Sequence, residues 1–440
     1  MTISNGRLVC SQEKRDKIKM TRESTKLRRT KQICKVYECK IIQNKLNKAQ
    51  REALEMIFVE AKWVYNYILS LKKNHNIEIK TIKTKDIKEV VHLDKDGNKI
   101  ISKLKYLTAQ PKQTLIHQMV TNERGISTKL YKKLITHGEL KYKQEISSIP
   151  LNQYTSSHEI KTKTKVRISG IPGNIKVKGL EQTKNVDEFA NALLVKKSDG
   201  YYFYITTFTD KTKISNPNQL NQEIGLDFGV KTSLTTSEGE KIDLSVKESE
   251  RHKKLHQKMK KCQKGSNRRH KALLLLRKEY QKEKQKRREK ANKVLTKLKR
   301  YKYIVFQNEQ ISIWKKSGFG KQINHTCLGI LKNKLKQQKQ SIVLDKYIPT
   351  TKFCPFCGKK NRIPLSDRIY KCSCGYEMDR DVHAARNMLV IKNLVFKYLN
   401  VKLPTEHREI TLEEFNNAIG LTKQTKVIKH RTEKSLSLTA

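Results

Sequence analysis

Apolar residues change their spacing twice along this chain, and the changes divide it. Leu54, Ile57, Ala61, Val64 and Ile68 recur at three- and four-residue steps, which puts them on one face of a helix with Asn47 as its N-cap. A weaker helical pattern covers 110–134. From about 161 to 210 the period falls to two. Val166 and Ile168, a Gly170-Ile171-Pro172-Gly173-Asn174 turn, then Ile175 and Val177 predict one hairpin. Residues 193–195, a Ser198-Asp199-Gly200 turn and 201–208 predict a second. Alternation through Tyr37, Cys39 and Ile41 adds a strand. The first half thus reads as a small β-domain (34–46 and 141–215) carrying a helical insertion (47–140), preceded by a polar, basic, flexible tail over 1–33.

The second half is defined by the order of its elements. Ile224-Gly225-Leu226-Asp227, residues 234–236 and residues 241–244 predict three antiparallel strands, with a Ser237-Glu238-Gly239 turn between the last two. Helical sequence fills 248–300. A short buried strand at 303–306 then reaches Glu309, followed by a helix through Leu328, Leu331 and Leu335 and a strand at 342–344. A cysteine-rich segment comes next, and a final helix begins near Asp381. Hairpin strands, helix, strand, helix, strand, helix is the order of an RNase H-like fold. The expected class is therefore multidomain α+β: an RNase H-like α/β domain over 219–350 and 377–396, a cysteine segment (351–376) inserted before its last helix, and a C-terminal tail over 397–440.

Charge narrows the partners. Lys+Arg 95 against Asp+Glu 42 leaves +53, and self-repulsion of that size calls for a polyanion, so nucleic acid is expected. The charge is spread along the chain instead of confined to one amphipathic helix, which argues against a membrane partner. Residues 1–33 hold no apolar core of a secretory signal, and the longest aliphatic run, 273–276, is far too short to span a bilayer. A cytoplasmic, nucleoid-associated protein is expected. Residues 251–300 alone carry 22 Lys/Arg against three acids, a helical pair suited to gripping phosphates without reading sequence.

Nine cysteines in such a chain favour metal over disulfides. Four are paired by spacing: Cys354-Pro-Phe-Cys357 and Cys372-Ser-Cys374, separated by a short hairpin. Two close pairs supply four thiolates for a tetrahedral zinc ion, with no position left for water, so the zinc is expected to be structural. Phosphodiester hydrolysis by Mg²⁺ needs instead several carboxylates converging on one point, with two ions the common arrangement. Asp227 on the first strand, Glu309 after the fourth and Asp381 at the start of the last helix occupy stations that meet in an RNase H-like fold. Asp345 rivals Glu309, and either Asp379 or Asp381 could be the N-cap of the last helix. His325 and His383 read as packing residues.

With those residues in view, the chain resembles the TnpB family of RNA-guided nucleases, encoded by insertion sequences and related to miniature type V CRISPR effectors. Gly225-Leu226-Asp227-Phe228-Gly229-Val230-Lys231 is similar to the first RuvC motif. Glu309, followed by Trp314-Lys315-Lys316-Ser317-Gly318-Phe319-Gly320, is similar to the second. Pro349 through Cys357, and on to Asp379-Arg380-Asp381, is similar to the zinc ribbon joined to the third. Trp63-Val64-Tyr65-Asn66 and the hairpin at Gly170 match the family's wedge and recognition regions more loosely. His383 stands where asparagine is usual.

The resemblance implies a RuvC nuclease with a barrel-like wedge domain, a guide RNA from the element's own end, and target duplex DNA with its displaced strand. It makes Asp227, Glu309 and Asp381 the Mg²⁺ ligands and Cys354, Cys357, Cys372 and Cys374 the zinc ligands. A guide-dependent DNA-binding repressor without cleavage, or a transposase using the same metal chemistry, is the alternative. One copy or two is left open.

Overall fold

A computed structural model describes residues 2–4, 7–9, 12–93, 97–213, 220–364, 366–400 and 407–420; Cys10 and parts of both expected tails fall outside them. The chain forms two compact units, Met1–Ser215 and Asn216–Ala440. Among the described residues no helix is long and apolar enough to cross a membrane.

The first unit is built on a seven-stranded antiparallel sheet. Its order is Ser148–Leu151, Glu188–Lys197, Gly200–Asp210, Gln32–Ile41, Asn174–Lys178, Lys165–Ile168, His158–Thr162. Both hairpins read from the two-residue period are there. The sheet ends on two edge strands, so hydrogen bonds among the described residues do not close the expected barrel. The helix Lys48–His75 starts where expected, in a capping box: the Asn47 side chain accepts from the Gln50 amide and the Gln50 side chain returns the bond. Its apolar face packs on the sheet. Leu54, Ile57 and Ile68 share one core with Ile149, Val166 and Phe203 of the sheet, because a lone amphipathic stripe is stable only against another apolar face. The helix Ala109–Tyr131 joins the same core, and a hairpin, Glu89–Leu93 with Lys99–Lys103, interrupts the helical stretch. Residues 12–30, expected in a flexible tail, form a helix with no buried residue.

The second unit has a six-stranded mixed sheet in the order Lys241–Ile242, Leu234–Thr236, Glu223–Asp227, Tyr303–Gln307, Ser341–Leu344, Arg408–Ile410. The first three strands are antiparallel and the last four run parallel. Tyr303–Gln307 and Ser341–Leu344 are buried at every position, as befits parallel strands covered on both faces. The sixth strand, and the helical residues 412–420 whose Phe415 and Ala418 enter the core, lie in the expected C-terminal tail. Leu412, Phe415, Ala418 and Ile419 carry a helical spacing that marks the helix, whereas the three-residue strand has no periodicity to read.

The helix Arg380–Tyr398 lies on this sheet at van der Waals distance. A Cβ at Gly225 would sit 1.9 Å from the Ala385 carbonyl oxygen, so any other residue would drive strand and helix apart. Ser237 bonds to both sides of the same glycine: its hydroxyl accepts from the Gly225 amide at 3.1 Å and its amide donates to the Gly225 carbonyl at 2.9 Å. Arg386 Nε in turn donates to the Ser237 carbonyl, and the buried Lys392 pairs with Glu223 at the other end of the strand. Gly225→Ala is therefore expected to cost about 1–3 kcal/mol by overpacking, or more if the helix cannot shift. Urea unfolding of the purified variant measures this, and an unchanged midpoint would contradict the close contact.

Candidate active site and cysteine centre

The parallel register sets the first two acids side by side. Leu226 pairs with Phe306, so Asp227 and the segment after Gln307 leave the sheet at the same edge. Gln307 pins that segment. Its Nε2 donates to the carbonyls of Asp345, Lys346 and Ile348, and its Oε1 accepts from Thr350 Oγ1 at 3.1 Å. Glu309 follows two residues later. Asp345 ends the next strand at the same edge, but its Oδ1 accepts from the Tyr347 amide at 2.8 Å and closes a local turn.

The start of the last helix resolves which aspartate caps it. Asp379 Oδ1 accepts from the amides of Asp381 and Val382 at 3.0 and 3.1 Å, and its other oxygen meets Lys241 Nζ at 2.8 Å. Burial disfavours the Asp379 charge, yet Lys241 and the helix amides outweigh it and hold the carboxyl below its usual range. Asp381 is left with its carboxylate uncommitted to capping, 3.8 Å from Arg380 Nε.

Electrostatics report that the three acids share one region. Burial pushes the Asp227 carboxyl well above its ordinary 3.8, and the charges of Glu309 and Asp381 add to the shift against a smaller opposing effect of Arg380. Burial likewise raises Glu309 to about 7, with Lys332 working against it. Glu309 Oε2 is buried without a hydrogen-bond partner. Among the described residues only the four cysteines bring three or more ligand atoms within 4.8 Å of one another; the three acids face one another more loosely. Carboxylate oxygens are the donors that hard cations take, and an orphaned acceptor beside two further acids fits such an ion.

Lys332 was not expected here. It is 3% exposed; its Nζ donates to the Glu309 carbonyl at 2.7 Å, lies 3.9 Å from Glu309 Oε2, and stands over the Phe228 ring next to Asp227. Burial lowers its pKa to about 8 while Glu309 opposes the change. A signal did exist: Lys332 is four residues after Leu328, on the apolar face that Leu331 and Leu335 continue. A charge on a core face needs a partner.

The cysteine segment packs against the helix Arg380–Tyr398. Cys354 and Cys374 sulfurs are 3.7 Å apart, and Cys357 and Cys372 sulfurs 3.5 Å. Each pair turns through a glycine with positive φ, Gly358 at 73° and Gly375 at 87°, which frees amides to point inward. The Cys374 amide leads in pulling the Cys372 thiol down to about 6, whereas burial pushes Cys354 up to about 11. Four convergent thiols with an amide-stabilised thiolate fit a tetrathiolate metal centre. The strands Ile369–Lys371 and Glu377–Asp379 pair on either side of the second knuckle, and the latter runs straight into the helix Arg380–Tyr398. His383 is a packing residue: fully buried, stacked on Tyr370 at 3.7 Å, and held well below its usual pKa, at about 4, by burial. Asn387 Nδ2 donates to the carbonyls of Thr350 and Phe353, fastening the helix to the start of the cysteine segment.

Residues 326–388 match the model of the Cas12f1-like TNB domain. The chain is 29% identical over 177 residues to a Streptomyces pristinaespiralis protein named "Putative RNA-guided DNA endonuclease", covering 38% of this chain and 44% of that one. It is 46% identical over 41 residues to "Putative transposase A625R" of Paramecium bursaria Chlorella virus 1, covering 9% of this chain and 10% of that one. The chain thus spans less than half the length of either curated relative. A chain in the cryo-EM structure of a Cas12f1-sgRNA-target DNA complex aligns with a TM-score of 0.38 at 13% identity, over 77% of this chain and 81% of that one. The domain match and the Streptomyces relative are consistent with the TnpB-like family named from the motifs.

The raised Asp227 pKa has a consequence for stability. The folded state holds a proton that the unfolded chain releases at its ordinary 3.8, so ionising Asp227 costs stability as pH climbs toward the folded pKa. Asp227→Asn removes that cost. In chelator, the variant is expected to unfold at higher urea than the parent at pH 8, with the advantage shrinking as pH falls toward 5. Equal midpoints at pH 8 would show that the carboxylate is not desolvated.

Proposed function

We propose that this chain is an RNA-guided DNA endonuclease of a transposable element, with a RuvC-like nuclease in its second unit. The observation that carries the reading is the meeting of Asp227, Glu309 and Asp381 at one edge of a mixed sheet, from a strand end, the next strand's exit and a helix start. The strand order, antiparallel then parallel from the Asp227 strand outward, supports an RNase H-like domain. Asp227, Glu309 and Asp381 would hold Mg²⁺, and Cys354, Cys357, Cys372 and Cys374 would hold a structural Zn²⁺. When bound, a Mg²⁺ pair activates water and stabilises the leaving oxygen of a phosphodiester.

The chain's own residues prepare that site. Gln307 fixes the exit of the Glu309 segment, Asp379 takes the capping role so that Asp381 stays available, and Lys332 holds the Glu309 backbone while offsetting crowded negative charge. Guide RNA and duplex DNA enter the proposal from the charge of +53 and from the names of the relatives. Retention of all three acids favours cleavage over a binding-only repressor.

Purification from cells carrying the native element, followed by sequencing of bound RNA, is expected to recover a discrete transcript from the element's end. Mg²⁺-dependent cutting of a plasmid matching that RNA should vanish in Asp227→Ala and Asp381→Ala while DNA binding persists. Cutting by either variant would overturn the assignment of the acids. For the cysteine centre, Cys357→Ser should lose bound zinc by elemental analysis and melt at lower temperature. Full zinc content in that variant would reject the ligand set.

A further inference from the structure

A cavity of about 360 Å³ opens where the N-terminal end of the helix Lys48–His75 meets the sheet of the first unit. That volume falls in the range of small-ligand sites, about 300–1,000 Å³. The short 3₁₀ turn Gln43–Lys45 supplies Gln43 and Asn44 to its wall, and the helix supplies Arg51 and Glu55. Its base is apolar: Leu46, Leu54 and Tyr201 are 5%, 1% and 7% exposed. A Cβ at Gly200 would sit 2.8 Å from Gln43 Oε1, so the hairpin turn beside Tyr201 is bare where Gln43 lies against it.

The polar groups around this base are uncommitted. Among the described residues no hydrogen bond or ion pair engages the side chains of Gln43, Asn44, Arg51 or Glu55, and the Tyr201 hydroxyl has no hydrogen bond. Arg51 and Glu55 stand four apart on the helix, but the arginine precedes the acid, the less favourable order for a pair. Burial, then the charges of Glu55 and Glu145, push the Tyr201 phenol up to about 12, so it keeps its proton and can donate. A simple ion does not suit such a lining, because an anion meets Glu55 and a cation meets Arg51. A flat, neutral ligand with donors on one edge and acceptors on the next suits both.

We propose that this cavity binds an unpaired guanine base. Guanine N1–H and its N2 amine are two adjacent donors for the Glu55 carboxylate, and O6 and N7 are the acceptor pair that an arginine fork such as Arg51 takes. Adenine, cytosine and uracil each offer a carboxylate only one group bearing N–H. The base must be unpaired because Watson–Crick pairing occupies the N1–N2 edge, which single strands leave open. That a strand carries the base rests on the reading above that nucleic acid is a partner of this chain. A free guanine nucleotide presents the same edges, and the test separates the two.

The test uses the full chain freed of nucleic acid, with fluorescence anisotropy at moderate salt on short single-stranded RNAs that differ in one central base. Guanine is expected to bind about tenfold more tightly than adenine. Hypoxanthine, which lacks the N2 amine, and 7-deazaguanine, which lacks N7, should fall between them. Glu55→Gln removes a negative charge beside a polyanion, so charge alone would tighten binding of every RNA. The site instead requires that binding of the guanine RNA weakens and that its preference over hypoxanthine disappears. Arg51→Gln should abolish the preference over 7-deazaguanine. Both residues are exposed, so neither substitution disturbs the core. Saturable GMP binding that is lost in Glu55→Gln, with no preference among the RNAs, would keep the guanine site and assign it to a free nucleotide. A guanine preference that survives both substitutions, or equal affinity for all the RNAs together with no binding of GMP, would overturn the proposal. That failure with plasmid cleavage intact removes this site and leaves the guided nuclease; absent cleavage with the guanine preference intact does the reverse.

Discussion

The second unit depends on one close contact, between the backbone of Gly225 and the backbone of Ala385. It is the point at which the last helix touches the first strand of the sheet, with no room for a methyl group. Asp227 lies two residues after that contact on the strand, and Asp381 four residues before it on the helix. One helical turn and one strand step fix their separation, so the glycine sets how near the two carboxylates come. Ser237, Arg386 and the Lys392–Glu223 pair hold the same two elements together at either side of the contact. A helix that slid or tilted would part the acids before it disturbed the rest of the core.

Bringing carboxylates together costs folding energy, and the structure distributes that cost. Asp227 and Glu309 are both driven toward their protonated forms by burial and, for Asp227, by neighbouring charge. Two devices limit the effect. Asp379 turns its carboxylate to the helix amides and Lys241, which leaves it the smallest of the neighbouring charges acting on Asp227. Lys332 supplies a buried positive charge behind Glu309 without occupying the acid's free oxygen.

Much of this arrangement was legible in the sequence because it is encoded by spacing. Leu54 through Ile68 gave a helix its face, Asn47 its cap, and the Cys-x-x-Cys and Cys-x-Cys pairs their knuckles. Asp227 and Glu309 were reachable because each follows a short run of buried strand residues. Other features depend on contacts between residues far apart, which periodicity does not carry. The shared core of the Lys48–His75 helix and the seven-stranded sheet is one, and the strand Arg408–Ile410 beside Ser341–Leu344 is another. The choice between Asp379 and Asp381 as cap shows only in which carboxylate accepts the helix amides, and Lys241, 138 residues away, holds the other oxygen of that same carboxylate.

The cysteine centre and the acids are coupled by covalent shortness. Cys374 is separated from Asp379 by one strand of the small hairpin, and Asp379 caps the helix that bears Asp381. His383 stacks on Tyr370 of that hairpin, and Asn387 binds carbonyls on both sides of the Cys354 approach. His383 and Asn387 thus bind the cysteine segment while Ala385, between them on the helix, rests on Gly225. Loosening the four sulfurs would weaken the support on both sides of Ala385 and leave the Gly225 contact to hold the helix start that bears Asp381. The cysteine segment thus helps to hold the helix whose first turn bears Asp381.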